Sequence, residues 1–298
     1  MMPKSTFGTN LKLEKMGVWL LALCCLIPGI AMASTTGTAQ VKEGILTLTE
    51  GPYRLSFIEK SAWTIRELYF ENKLLLSPTG AFGTVANIKD FGWNGTAHGH
   101  EIVEKIELKI DDKSCPLKDG LNEQGRKFVL EKQSIIGPYR DFSTITFDGK
   151  TIHEDFRYEV IADDSKVNFM YAFMHCFTNN TDQWMAQLKD GSIEEGKFLD
   201  DNSFTLAKDI RWAAVYDSSE TMGMVYVYPE AYTGKKPFAN SFWNRPRDNK
   251  LYLRPELPAG VGKKFAFAVT LQAFDADASD WQQTAKKLIA GIEQTPST

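Results

Sequence analysis

Cysteine and histidine are both scarce in this chain, which limits its metal and disulfide chemistry. The 298 residues contain four of each. Cys24 and Cys25 lie in an apolar N-terminal segment, so only Cys115 and Cys176 belong to the rest of the chain. Two thiols permit one disulfide without requiring it, and they cannot form a tetrahedral zinc framework. We therefore expect no bound metal, and nothing in the pattern predicts a cofactor.

Long hydrophobic runs are confined to the N-terminus. Residues 16–33 form an apolar segment that follows three lysines and ends in the small-x-small triplet Ala-Met-Ala. A Pro-Gly pair interrupts the run, which is too short for a bilayer that needs about 20 apolar residues. The pattern is typical of an export signal cleaved before Ser34, with lipid attachment at Cys24 or Cys25 as the alternative. We expect a secreted or periplasmic protein with no membrane segment after signal cleavage.

Clustered positive charge and linker segments are missing as well. The net charge is −4, and the lysines and arginines are scattered or occur in short pairs. A nucleic-acid surface needs concentrated basic residues, so we expect no nucleic-acid partner. Because no repeat, low-complexity tract or Gly/Ser/Pro-rich linker divides the chain, residues 34–298 are expected to form a single domain. The pattern leaves the oligomeric state open.

Alternation of apolar and polar residues dominates from residue 45 to residue 271. It is clean in the segments 102–110, 156–160 and 265–271, as expected of strands with one buried face. The segment 167–173 is semi-apolar at both sets of positions, which favours the centre of a sheet. Further strands are predicted at 53–58, 63–70, 128–136, 142–147, 210–216, 222–228 and 251–254.

About a dozen strands exceed what one twisted sheet normally holds, so the sheets must stack or close. The expected fold is therefore all-β, a large antiparallel β-sandwich with one C-terminal α-helix. That helix is predicted over 279–293, where Trp281, Ala285 and Ile289 fall on one apolar stripe. Ser279 and Gln282 have the spacing of a capping box.

A polar and aromatic loop at residues 92–101 is the first candidate site. Trp93, His98 and His100 lie within it, and the two histidines have the spacing of same-face neighbours on an extended segment. Such a pair can bind sugar hydroxyls, but a metal would need a third ligand from elsewhere. A surface loop with purely structural histidines is the alternative.

Two other segments carry candidate binding or catalytic side chains. His175 ends an apolar strand, where it would either face bound ligands or be a satisfied core residue. Trp243 could stack on the apolar face of a sugar ring or simply close the core. Arg245 follows it and could donate forked hydrogen bonds to hydroxyls or to a carboxylate.

The order of these features resembles the galactose-mutarotase-like, or β-supersandwich, family. The opening strand pair 53–57 and 63–68 is followed by a Gly-rich segment, a strand ending in histidine and a late carboxylate loop. The segment His175-Cys176-Phe177-Thr178-Asn179 approximates the histidine segment of aldose 1-epimerases, and Glu256 is nearest to their late glutamate. The resemblance implies a supersandwich in which His175 would act as acid and Glu256 as base.

Three functions remain open at this point. The first is an exported carbohydrate-binding protein that holds a sugar or polysaccharide in a loop-lined cleft, through Trp93, His98, His100, Trp243 and Arg245. The second is a carbohydrate-active enzyme, similar to an aldose 1-epimerase or a polysaccharide lyase. The third is a structural or partner-binding envelope protein. The fold does not decide among them.

Overall fold

Antiparallel strands make up most of the computed structural model, which describes residues 36–78, 82–234, 240–245 and 247–294. The predicted signal peptide at 1–33 lies outside the described residues. In chain order the elements are β1 (Gly37–Lys42), β2 (Ile45–Glu50), β3 (Tyr53–Ile58), a short 3-10 helix (Glu59–Ser61), β4 (Thr64–Phe70), β5 (Lys73–Leu76), β6 (Val85–Ile88), β7 (Gly92–Gly95), β8 (Glu101–Ile110), β9 (Lys113–Cys115), β10 (Asn122–Gly125), β11 (Phe128–Ile136), β12 (Tyr139–Phe147), β13 (Ile152–Val160), β14 (Val167–Tyr171), β15 (Phe173–Cys176), β16 (Gln183–Leu188), β17 (Ile193–Lys197), β18 (Phe204–Lys208), β19 (Ile210–Asp217), β20 (Met222–Val227), β21 (Asn240–Trp243), β22 (Lys250–Leu253), β23 (Lys264–Asp275) and α1 (Trp281–Glu293).

Two large sheets form the body of the fold. The ten-stranded sheet has the order β17–β16–β19–β20–β23–β13–β12–β11–β8–β9, and the six-stranded sheet has the order β10–β1–β2–β3–β4–β5. Within the described residues every strand pair is antiparallel. The expected large antiparallel β-sandwich with one C-terminal helix is confirmed.

Alternation along the strands explains why these sheets stack. In β12 every second residue from Tyr139 to Phe147 is buried, while the residues between them are only partly covered. β13 has the same period, with Ile152, Phe156 and Val160 on the buried side. Because successive side chains of a strand point to opposite faces, each such strand contributes one face to the core.

Two small sheets cover part of the buried face of the large one. The first has the order β14–β6–β7, and the second has the order β15–β22–β21–β18. The chain passes from β14 to β15 through Ala172, whose backbone N–H donates to the Leu253 carbonyl at 2.9 Å. The expectation that 167–173 is a central strand was wrong. β14 is an edge strand, and its Phe169 and Tyr171 are only partly buried because they belong to an outward face.

The C-terminal helix packs on the large sheet as its apolar stripe predicted. Trp281, Ala285 and Ile289 are buried, and the Trp281 ring stacks on Tyr216 at 5.1 Å. The predicted capping box is wrong. Asp280 occupies the N-cap without a side-chain bond to the helix, and the Gln282 amide instead donates to Glu195 at 2.7 Å.

Cys115 and Cys176 do not form a disulfide in this structure. Cys176 is fully buried in β15, whereas Cys115 is partly exposed at the end of β9. In the part of the chain that the structure describes, no helix combines the length and the apolar character that a bilayer span requires.

Candidate functional site

Five aromatic side chains form a continuous surface across the two small sheets. They are Trp93, Phe169, Tyr171, Trp243 and Tyr252, and we call them the aromatic face. Their ring centroids follow one another at 5.8 Å from Trp93 to Tyr171, 4.4 Å from Tyr171 to Tyr252 and 5.9 Å from Tyr252 to Trp243. Phe169 meets the Trp93 and Tyr171 rings edge-on at 5.6 and 5.3 Å.

Strand register places the first three rings on one side of their sheet. Asn87 of β6 pairs with Phe169 of β14 on one edge and with Trp93 of β7 on the other. Tyr171 lies two residues beyond Phe169 and therefore shares its face. Directly paired residues of antiparallel strands project to the same side, so the three rings converge.

The same rule builds the other half of the aromatic face. Trp243 of β21 pairs with Lys250 of β22, and Tyr252 follows Lys250 two residues later. The intervening residues, Phe242 and Leu251, point the opposite way and are completely buried. Both halves therefore rest on rigid sheets rather than on loops, which differs from the loop-lined cleft expected from the sequence.

Exposure changes along the aromatic face. Trp93 is 41% exposed, Tyr171 and Trp243 are half-buried, and Tyr252 is only 3% exposed. The buried tyrosine thus fixes the spacing of the more exposed rings at either end. Apolar ring surfaces of this kind are suited to stacking against the C–H faces of flat or ring-shaped ligands.

Positive side chains surround the rings. The Arg245 guanidinium lies 5.1 Å from the Trp243 ring, and the Arg254 guanidinium lies 4.0 Å from the Phe169 ring. Such cation–π contacts hold a guanidinium against an aromatic side chain. The position of Arg245 is fixed further by its backbone N–H, which donates to Asn249 Oδ1 at 3.0 Å.

Asp248 lies among three positively charged side chains, those of Arg245, Arg247 and Lys250. Its carboxylate, which is completely buried, is 3.5 Å from Arg245 Nη1, 3.6 Å from Arg247 Nε and 3.5 Å from Lys250 Nζ. Neither carboxylate oxygen has a hydrogen-bond partner among the described residues. One negative charge is therefore shared by three positive ones.

His98 connects the two halves of the site. Its ring stacks on Trp93 at 5.7 Å, and desolvation followed by the nearby charge of Lys250 lowers the pKa of His98. A neutral imidazole can both donate and accept a hydrogen bond, which suits it to a hydroxyl group.

His100 departs from the arrangement that its spacing predicted. Ala97 and His100 both adopt left-handed φ angles, of 60° and 63°, so the segment turns back instead of extending. His100 meets Phe91 at 5.0 Å while His98 meets Trp93 at 5.7 Å, so the two histidines contact different rings and the predicted extended segment is wrong. Among the residues that the structure describes, no group of three His, Cys, Asp or Glu side chains is placed to hold a metal ion.

The predicted acid and base lie in different environments. His175 is 1% exposed, and its Nε2 is 2.8 Å from Glu154 Oε1 inside the core beside the Tyr226 ring. Glu256 is an exposed residue in the segment after β22, held through its backbone N–H to the Thr233 carbonyl. A sugar would reach His175 only if the sheets separated, and the catalytic use of the pair stays a prediction.

A buried polar layer, formed by side chains of the large sheet, attaches β7, the strand that carries Trp93, to that sheet. Glu101 accepts hydrogen bonds from Lys132 Nζ at 2.6 Å, Ser134 Oγ at 2.7 Å and Thr96 Oγ1 at 2.7 Å. Thr96 directly follows β7, so this carboxylate ties the end of the Trp93 strand to the large sheet. Asp141 is buried near the same charges, and desolvation raises the pKa of Asp141 to about 7.

A second set of bonds joins the large sheet to the junction of the small ones. Tyr158 Oη is 2.6 Å from Thr84 Oγ1, and both hydroxyls donate to the Ala172 carbonyl, at 2.9 and 2.8 Å. These bonds fix the point at which β14 becomes β15. The polar layer therefore positions both small sheets relative to each other.

A groove of about 500 Å³ occurs elsewhere, on the outward side of β12, β13 and β23. Its charged side chains are paired locally, since Arg157 lies 3.3 Å from Asp155 and Lys264 lies 4.0 Å from Glu159. The groove therefore has no surplus charge comparable with that around Asp248, and we place the candidate site on the aromatic face.

Four of the five predicted binding residues come together at this site: Trp93, His98, Trp243 and Arg245. Sequence reasoning missed Phe169, Tyr171, Tyr252, Lys250 and Arg254. The signal was present, because Phe169 and Tyr171 are spaced as same-face residues, as are Lys250, Tyr252 and Arg254. Only the pairing of distant strands shows that these faces are continuous.

No protein-family model matches the sequence, and no curated protein matches it. Solved structures of similar fold include a galactose mutarotase related enzyme from Lactobacillus acidophilus, 9% identical over 78% of this chain and 98% of that chain, with a TM-score of 0.42. A GH36 α-galactosidase from Geobacillus stearothermophilus is 9% identical over 80% of this chain and 41% of that chain, with a TM-score of 0.46.

An α-galactosidase from Lactobacillus brevis is similar at 7% identity, over 83% of this chain and 40% of that chain, with a TM-score of 0.45. This chain thus spans about two fifths of each α-galactosidase. These likenesses concern the arrangement of strands alone.

Proposed function

We propose that the aromatic face binds a carbohydrate. The observation that carries the proposal is the unbroken row of rings from Trp93 to Trp243, which ends at each side in groups able to hydrogen-bond hydroxyls. Sugars present an apolar C–H face that stacks on aromatic rings and a polar edge that needs donors and acceptors. His98 and Arg245 supply such groups beside the two tryptophans of the aromatic face, Trp93 and Trp243.

The rigid mounting of the site supports binding rather than rearrangement. Trp93, Tyr171, Trp243 and Tyr252 all lie on strands, and the ring of Tyr252 is buried between its neighbours. A preformed surface loses little conformational entropy on binding, so weak individual contacts can add to a useful affinity.

Binding is tested by replacing Trp93 with alanine and measuring affinity for glycans found on an array of diverse saccharides. Loss of an aromatic side chain that anchors a ligand costs about 2 kcal/mol or more, or about 30-fold in Kd. Trp93 is already 41% exposed, so the variant should remain folded.

Phe91→Ala is the matched control for Trp93→Ala. Phe91 is also an exposed ring, 54% accessible and two residues away, but it contacts His100 and does not belong to the aromatic face. Its removal should leave the affinity unchanged. An array without any bound glycan, or equal affinities for Trp93→Ala and the unaltered protein, would reject the proposal.

We further propose that the protein acts outside the cytoplasm after export. The support is the apolar segment 16–33 with its basic leader and its small-residue triplet. N-terminal sequencing of protein recovered from the extracytoplasmic fraction should give Ser34 as the first residue. Recovery in the cytoplasm with Met1 retained would contradict this proposal.

A further inference from the structure

We infer that the saccharide bound by the aromatic face is acidic, with its carboxylate or sulfate held by Arg245 and Lys250. The inference rests on the proposed function and adds to it the chemical class of the ligand. It comes from the charge around Trp243, which the rings alone do not explain.

Three cations around Asp248 share a single negative charge. Arg245, Arg247 and Lys250 all lie within 3.6 Å of Asp248, and the structure gives none of the three a second carboxylate among the described residues. Two positive charges therefore remain uncompensated in a small region. A neutral sugar would leave that surplus in place, whereas an anionic group would remove part of it.

The side chain of Lys250 is buried. It is only 7% exposed, and among the described residues its ion-pair partner is Asp248, whose Oδ2 lies 3.5 Å from Nζ, which is longer than a charge-assisted hydrogen bond. Placing an ammonium in such surroundings is costly unless it has a close anionic partner. An oxyanion arriving at the aromatic face would supply that partner.

Arg245 and Lys250 both lie beside the ring of Trp243. Lys250 is paired with Trp243 across β21 and β22, and the Arg245 guanidinium lies over the same indole ring. On the other side, the charge of Lys250 acts on His98, which stacks on Trp93. A sugar stacked on these rings therefore has its edge substituents next to the surplus positive charge.

Asp248 acts as a positioning residue in this arrangement. It is completely buried and holds the three cations in one place, so it does not itself face the ligand. Because its charge is shared, it reduces their mutual repulsion without neutralising them.

The test compares matched saccharides that differ only in charge. The first pair is oligogalacturonate and its methyl ester, which differ in the carboxylate, and the second is dextran sulfate and dextran, which differ in the sulfate. We expect at least one acidic member to bind about tenfold or more tightly than its neutral partner, the usual loss for a charge-assisted hydrogen bond. That preference should shrink as added salt screens the charges. The two pairs distinguish a carboxylate from a sulfate.

Arg245→Gln should lower affinity for the preferred acidic saccharide about tenfold more than it lowers affinity for its neutral partner, because only the acidic saccharide loses a charge-assisted bond. Arg157→Gln is the matched control, because Arg157 is an exposed, ion-paired arginine on the outward face of the large sheet. The control should change neither affinity.

Each outcome separates this inference from the proposed function. Equal binding of acidic and neutral partners, or binding of neutral glycans only, would overturn the inference and leave carbohydrate binding standing. Absence of binding to every saccharide would overturn both. An unchanged acidic preference in Arg245→Gln, with the protein folded by circular dichroism, would remove Arg245 from the site.

Discussion

Replacing Lys132 with methionine should destabilise the fold far more than replacing an exposed lysine of the same strand pair. Lys132 Nζ lies 2.6 Å from Glu101 Oε1, and the two side chains are 7% and 2% exposed. Methionine keeps the apolar stem but removes the charge, so Glu101 would remain buried without its cation. Breaking a buried pair from one side costs about 3–5 kcal/mol.

The structure places the loss near the lower end of that range. Glu101 would keep two donors, Ser134 Oγ and Thr96 Oγ1, both at 2.7 Å. The bond from Lys132 Nζ to the Ala62 carbonyl, 3.0 Å long, would also disappear. We therefore expect the free energy of unfolding to fall by about 3 kcal/mol in urea titrations near neutral pH.

Lys109→Met is the matched control for this measurement. Lys109 lies on β8 and pairs with Glu131 of β11 at 2.8 Å, so both ion pairs join the same two strands. The side chains of the Lys109 pair are 31% and 40% exposed, so water screens their charges and their loss should leave the unfolding free energy nearly unchanged.

A second variant separates lost charge from lost packing. Adding Glu101→Gln to Lys132→Met removes the uncompensated carboxylate and should recover part of the stability. The reasoning fails if Lys132→Met costs less than about 1 kcal/mol, which is the range of exposed pairs. It also fails if the double variant is no more stable than Lys132→Met.

Three other measurements test separate parts of the structure. Because desolvation raises the pKa of Asp141 to about 7, the folded state binds the extra proton, and stability should fall as pH rises from about 4 to 7, by up to about 1.4 kcal/mol per unit. Asp141→Asn should reduce this slope in urea titrations without abolishing it, because desolvation also raises the pKa of Glu50 to about 7. Gly95→Ala should destabilise the protein by about 1–3 kcal/mol, because the φ angle of Gly95 is +134° and a Cβ would collide with the Thr84 carbonyl. Equal unfolding midpoints of this variant and the unaltered protein would contradict that expectation. Iodoacetamide should label Cys115 in the native protein and Cys176 only after unfolding, as read by peptide mass; native labelling of Cys176 would show that β15 is accessible.

Two strands were predictable from the sequence to the residue, whereas the cleanly alternating segments 156–160 and 265–271 proved to be parts of longer strands, Ile152–Val160 and Lys264–Asp275. Tyr53–Ile58 and Phe128–Ile136 have the predicted bounds, because polar turns flank a regular apolar period. Short strands such as Gln183–Leu188 were missed, since their residues are apolar on both faces or too few to show a period. Their existence depends on partners far away in sequence.

The candidate site was predictable only in pieces. Trp93 and Trp243 were each identified as aromatic residues able to bind a sugar, but their connection runs through Tyr171 and Tyr252. A strand with apolar residues on both faces has the same sequence pattern whether its second face packs in a core or contributes to a solvent-accessible aromatic face. His175 shows the reverse case, because an apolar strand ending in histidine led into the core rather than to the surface.

The passage of the chain through Ala172 has a consequence for ligand selection. Because one covalent segment carries Tyr171 on one sheet and continues directly into the next, the two halves of the aromatic face cannot change their separation independently. The conformational entropy lost on binding then falls mainly on the ligand. Stiff saccharides whose repeat length matches the ring spacing should therefore be favoured over flexible ones of the same charge.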